Sequence, residues 1–162
     1  MPWNRWRGCW QKFCWNSFFF QSHTKGMMRK FMIYGVLGWC MEILWTGFCA
    51  FLSGDAALTA KTYLWMFPIY GMTVFMEPLF LSFRRYCPLW QRMGFYTFCI
   101  FAVEFLMGWF LQTMTGVCPW DYGDRMFSVM GFIRLDYAPL WAGLGCVLEE
   151  VSVFLAEKEV KG

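Results

Sequence analysis

Glu42, Glu77, Glu104 and the adjacent Glu149 and Glu150 are the residues with chemistry to offer, because each interrupts a long apolar run. A charge held near the middle of a membrane span costs on the order of 2.5–3.5 kcal/mol. Acids kept at that cost are expected to face other helices or a polar path. They are therefore candidates for a proton, cation or substrate pathway. The same acids, protonated, can instead hydrogen-bond neighbouring helices and fix their packing. Chemistry that needs particular partners is easier to exclude. A di-metal site in a helical bundle asks for Glu-x-x-His, and the single histidine, His23, lies outside the apolar runs. There is no C-x-x-C pair for zinc or thioredoxin-type chemistry, no G-x-x-x-x-G-K-[ST] for ATP and no G-x-S-x-G elbow.

Glu149 and Glu150 share the pairing of the glutamates in intramembrane CAAX-type proteases. That pattern asks for an arginine four residues after the second acid, where Phe154 stands, and for helical histidines, which are missing. No nucleophile–base pair is visible either. We therefore expect no enzyme, no cofactor and no metal.

The elements that must position these acids are four apolar stretches, 31–52, 63–83, 93–114 and 137–156. Each is close to the roughly 20 residues that carry a helix across the hydrocarbon core. None shows the strict alternation of a membrane β-barrel, and lipid offers no partner to an unpaired backbone amide, so helices are the remaining choice. Composition agrees. Of 162 residues, 59% are hydrophobic and 15% charged, against roughly 45–50% and a quarter in soluble domains. That excludes an intrinsically disordered chain and argues against a water-soluble enzyme. Pro68 and Pro78 fall inside the second stretch, where a kink or break is expected, whereas Pro139 starts the fourth and is harmless.

Side-chain spacing gives each stretch one polar or small face. Gly35, Gly38, Glu42 and Trp45 share a stripe, as do Tyr70, Thr73 and Glu77, then Glu104, Gly108 and Gln112, then Trp141, Gly145, Glu149 and Ser152. Small residues let helices approach, and polar ones then bond across them. Counted from the basic ends, Glu42 and Glu104 lie roughly 16 Å deep, Glu77 and Glu149 roughly 10 Å. The prediction is an all-α integral membrane protein, a four-transmembrane-helix bundle over 31–156 whose middle holds carboxyls.

Basic residues set the orientation. Arg5, Arg7, Lys12, Lys25, Arg29 and Lys30, then Arg84, Arg85 and Arg92, then Lys158 and Lys161 fall on one side, with Lys61, Arg125 and Arg134 on the other. Both termini are thus expected in the cytoplasm, segment 1–30 and tail 157–162 included. Within 1–30, Trp3, Trp6, Trp10 and Phe13 recur at helical spacing among basic residues, which predicts an interfacial amphipathic helix on anionic lipid. A disordered basic tail is the alternative. The net charge of +3 is a topology signal and calls for no nucleic acid. Of the cysteines, Cys40, Cys99 and Cys146 read as small packing residues, and a Cys49–Cys118 disulfide stays open.

The third link contains Cys118-Pro119-Trp120-Asp121-Tyr122 and then an apolar run at 126–133. That run is too short to span, so it reads as an interfacial or re-entrant segment. The Trp-Asp-Tyr block, followed by Met130-Gly131, Ile133, Leu135, Tyr137-Ala138 and Trp141, resembles the transmembrane protein 229 family and the related bacterial proteins labelled Putative ABC-transporter type IV. Tyr34-Gly35, Gly38, Glu42, Ile69-Tyr70-Gly71, Glu77, Cys87-Pro88-Leu89, Glu104 and Gly108 match in order, so the resemblance covers 31–150. Ser128 stands near a position where many bacterial members carry asparagine. The resemblance implies a multi-pass membrane protein with a permease label.

The function expected first is a small permease-like transport component. Glu42 and Glu104 would form its mid-membrane site, Glu77 and Glu149 would continue it inward, and Trp120, Asp121 and Tyr122 would shape the outer entrance. The alternative is a non-catalytic scaffold or interaction protein whose buried glutamates fix helix packing. Four spans are few for a transporter, so a homo-oligomer or partner subunit is expected beside the bilayer itself.

Overall fold

The computed structural model describes residues 26–123 and 125–161. The amphipathic helix expected around Trp3, Trp6, Trp10 and Phe13, with its anionic-lipid contact, lies outside the described residues. Among them, the chain is mostly helical. Helix α1 (Met27–Leu52) is followed by α2 (Met66–Gly71), a 3₁₀ turn (Met72–Met76), α3 (Glu77–Tyr86), α4 (Leu89–Thr115) and α5 (Ala138–Lys161). Between α4 and α5 lie two short strands, β1 (Ser128–Val129) and β2 (Ile133–Arg134), and a 3₁₀ turn (Leu135–Tyr137). Among the described residues, four helical stretches are long and apolar enough to cross a membrane: Met27–Leu52, Met66–Tyr86, Leu89–Thr115 and Leu135–Lys158.

Helices α1 and α4 begin at Met27 and Leu89, ahead of the expected 31 and 93. The expected starts followed the charges at Lys30 and Arg92. Lys and Arg are good helix formers with long stems, so they are carried inside the first turns. Helix α4 starts after the extended backbone of Pro88 (φ −67°, ψ 158°) and stops at Gly116, whose φ of 77° suits glycine. The expected break in the second stretch is the 3₁₀ turn. Pro68 sits in the first turn of α2 and Pro78 in the first turn of α3, where a missing amide proton costs little.

The described chain forms two compact units, one ending at Met76 and one beginning at Glu77. In the first, α1 packs on α2 through glycine. A Cβ at Gly35 would lie 2.7 Å from the Phe67 ring, and one at Gly71 would lie 2.6 Å from the Phe31 ring. Phe67 is pinned edge-on by Phe31 (5.9 Å between centroids, 75°) and tilted against Trp39 (5.1 Å). The link between them turns on Asp55, whose carboxylate accepts from the amides of Ala57 (2.9 Å) and Thr59 (3.1 Å).

The Thr59 hydroxyl, and after it the amides of Ala57 and Thr59, hold the Asp55 carboxyl below the usual aspartate range. A depressed folded value adds order above the unfolded value near ~3.9 and loses it as pH falls through the folded one. Amide exchange at Ala57 and Thr59 is therefore expected to stay flat, once corrected for intrinsic rates, down to about pH 4 and to rise below it. In Asp55→Asn this acid step should vanish.

In the second unit α4 and α5 run antiparallel. Tyr96 and Leu111 of α4 are buried, as are Leu148 and Leu155 of α5 and Phe80 and Phe83 of α3. Phe83 stacks on Phe95 at 4.3 Å and 13°. The 126–133 run folds back on itself instead of extending as a helix. It is an antiparallel ladder pairing Ser128 with Arg134 and Val129 with Ile133, turned by Met130 and Gly131 at φ 54° and 77°. The all-α expectation thus gains one small hairpin. Its strands are two residues each, too short for any alternation to show. Cys49 and Cys118 are both free thiols in the structure.

Candidate functional site

The acids occupy distinct settings, and each setting follows from the helix that carries it. Glu42, in the second half of α1, accepts a 2.6 Å hydrogen bond from the Thr62 hydroxyl. One turn on, Thr46 Oγ1 accepts from the Lys61 amide at 3.1 Å, and its own proton is within reach of the carbonyls of Glu42 (2.9 Å) and Lys61 (3.0 Å). Residues 61 and 62 are thereby stitched back onto α1.

Glu104, on α4, accepts a 2.7 Å hydrogen bond from the Tyr122 hydroxyl. Trp141 of α5 bears on the same carboxyl. Tyr122 meets Tyr137 edge to face at 5.8 Å, and Tyr137 meets Trp141 the same way at 6.0 Å. Arg134 lies 4.4 Å over the Tyr137 ring, donates to the Tyr137 hydroxyl (3.2 Å) and is forked onto Asp136. The three residues expected at an outer entrance have separate tasks. Trp120 is buried and donates to the Phe132 carbonyl (3.2 Å). Asp121 closes a turn by accepting from the Gly123 amide (2.8 Å). Tyr122 serves Glu104, and its amide donates to the Gly131 carbonyl (3.0 Å).

Glu149 is the third centre. Its carboxylate receives Arg84 at 2.9 Å, Arg92, and the Tyr96 hydroxyl at 2.6 Å. The Glu149 side chain is 4% exposed and that of Arg92 15%, so this ion pair is buried. Arg84 is shared with Glu150, whose side chain is 66% exposed. Glu77 is buried at the head of α3.

Glu149 and Glu150 are therefore brought together through one arginine, while Glu104 and Glu149 are not. Tyr96 and Glu104 are two turns apart on α4, and so are Trp141 and Glu149 on α5. The two centres are thus separated by about 12 Å along the helix pair. Glu42 belongs to the other unit. The partners missed from sequence are Thr62, Tyr96, Arg84 and Arg92. In the sequence the arginines read as topology charges at the ends of spans. The available signal was their placement on either side of the short α3–α4 turn, which meets the Glu149 end of α5 when neighbouring helices run antiparallel.

Residues 29–161 match the family described as Putative ABC-transporter type IV. No solved structure matches the chain. The chain belongs to the Putative ABC-transporter type IV family, as the resemblance through the Trp-Asp-Tyr block implied. Its four candidate spans are those of a multi-pass membrane protein.

Proposed function

We propose that this protein is a non-catalytic membrane component in which the buried glutamates hold helices and links in place. One observation carries the reading. Glu42, Glu104 and Glu149 each have their own donors, drawn from their own unit. Glu42 and Glu104 even share a device: each accepts from a hydroxyl on the link that follows its own helix. Glu149 is already balanced by arginine, so its charge is spent within the fold. In this reading both termini are cytoplasmic, following the basic residues, and the protein acts through self-association or a partner subunit. A permease label is compatible with that role, since the chain has no ATP-binding motif of its own.

The test compares leucine with glutamine in reconstituted vesicles and in detergent. A glutamine can still accept from Thr62 or Tyr122, so Glu42→Gln and Glu104→Gln should keep the thermal midpoint, whereas Glu42→Leu and Glu104→Leu should lower it. Vesicles loaded with a pH-sensitive dye should show no protein-dependent proton flux with any of them. A flux that both glutamine variants abolish at unchanged stability would overturn the proposal.

A second reading, a small permease-like transport component using Glu42, Glu77, Glu104 and Glu149, has one observation in its favour. Glu104 Oε2 and Trp141 Nε1 are buried without a well-formed hydrogen bond among the described residues. That leaves the acid spare capacity for a proton or a donor. The flux measurement decides between the readings.

Tyr122→Phe isolates the Glu104 clamp. It removes one hydroxyl from a part-buried carboxyl, at an expected cost of about 1–3 kcal/mol. Hydrogen exchange should rise at 117–123, and the α3–α5 ion cluster should be untouched.

A further inference from the structure

We propose that the first unit binds one phospholipid, with an acyl chain in the groove between α1 and α2 and the phosphate at Lys61. The groove has a volume of about 470 Å³ and is lined by Trp39, Leu64, Trp65, Phe67 and Pro68. All five are apolar. Trp39 Nε1, one of the two side-chain polar atoms among them, is spent on the Tyr63 carbonyl at 3.0 Å. Trp39, Phe67 and Pro68 belong to candidate membrane spans, so the medium beside them is hydrocarbon and the molecule that fits is a lipid tail. The wall is preformed: Phe67 is held between Phe31 and Trp39 and lies over Gly35, and Pro68 has a fixed φ.

Lys61 supplies the charge complement. It is exposed and forms no ion pair among the described residues. Two residues separate it from Leu64, so the three backbone steps reach at most about 11 Å. Its backbone is fixed to Thr46, so the ammonium is presented from an anchored point. Asp55, the other charged residue of this link, has its carboxylate committed to Ala57 and Thr59. Tyr63 and Trp65 flank the groove with the aromatic residues that suit headgroup level. The face of α1 bearing Leu44 and Phe48 is exposed as well, and neither residue lines the groove. It is the internal control.

The experiment uses the full chain in phosphatidylcholine nanodiscs with a trace of phosphatidylglycerol carrying a photoactivatable group in one acyl chain. Adducts are mapped by peptide mass spectrometry. They should concentrate on 63–68 over the peptide containing Leu44 and Phe48, and unlabelled phosphatidylglycerol should compete them away. A lysine at the membrane surface contributes about fivefold in anionic-lipid affinity, so Lys61→Gln should cut the adducts by about that factor. Leu64 is 78% exposed, and Leu64→Asp should abolish the groove adducts while leaving the control peptide and the thermal midpoint unchanged. Equal, uncompeted labelling of both peptides would mean ordinary bulk lipid and overturn the proposal. So would indifference to Lys61→Gln, or protein–protein cross-links at 63–68, which would mark a second copy as the occupant. The result stands or falls apart from the function proposed above.

Discussion

Glu149→Leu is expected to be among the most damaging single changes in the second unit, costing about 3–5 kcal/mol. The loss comes from what stays behind. Arg92, with a side chain 15% exposed, keeps its charge and loses its carboxylate. The Tyr96 hydroxyl, on a residue 1% exposed, loses its acceptor. Arg84 can retreat to Glu150 and solvent, since its own side chain is 39% exposed, so it adds little. Glu150→Ala should cost only about 0–1 kcal/mol, because its pair with Arg84 is solvated and screened. Thermal unfolding of the purified protein in detergent checks both. A third variant tests the cause. If the damage is an orphaned charge, Arg92→Leu combined with Glu149→Leu should recover part of what Glu149→Leu loses, because apolar replacements for a buried pair are often near neutral. Failure to recover any of it would move the weight onto Tyr96 and Arg84.

The same centre marks where the sequence was legible and where it was not. Long apolar runs identify spans because lipid admits few backbone solutions, and the four helical stretches coincide with the four runs. The acids stood out for the same reason. Their partners did not, because a hydrogen bond joins residues far apart in the chain. Tyr96 lies 53 positions from Glu149, inside a run where an aromatic residue is unremarkable. Arg84 and Arg92 carried a good explanation already, the placement of positive charge at membrane boundaries, and that explanation concealed a second role. Thr62, and the bond from Tyr122 to Glu104, were invisible for a different reason. Each hydroxyl lies on a link, where no periodicity tells which way a side chain turns. The 3₁₀ turn was legible only as a break near Pro78. The β1–β2 ladder, set by the left-handed turn at Met130 and Gly131, had no pattern long enough to read. Fold class thus follows from solvent and composition, whereas the polar centres follow from tertiary register.

Glycine stripes were legible as a class, but the structure ranks their members, and the ranking is itself an expected result. A methyl at Gly38 would sit 2.0 Å from Tyr70 Cγ and 2.4 Å from its Cβ. Those atoms are fixed to the α2 backbone, so the ring cannot swing aside and the helices must part. Gly38→Ala should cost about 3 kcal/mol, at the upper end for overpacking. Gly145→Ala meets Tyr96 Cβ at 2.4 Å and should cost nearly as much. It also displaces the hydroxyl that serves Glu149, so combined with Glu149→Leu it should cost less than the two losses added. Gly35→Ala meets only the far edge of the Phe67 ring, from 2.7 Å, and that edge can yield, so about 1 kcal/mol is expected. Gly94 has nothing within 4 Å of its would-be Cβ and lies inside α4. Gly94→Ala should therefore stabilise the protein by about 0.5–1 kcal/mol through backbone entropy alone. Thermal midpoints of the four alanine variants should fall in that order. A Gly38→Ala protein as stable as the parent would mean that α1 and α2 do not approach as closely as these contacts require.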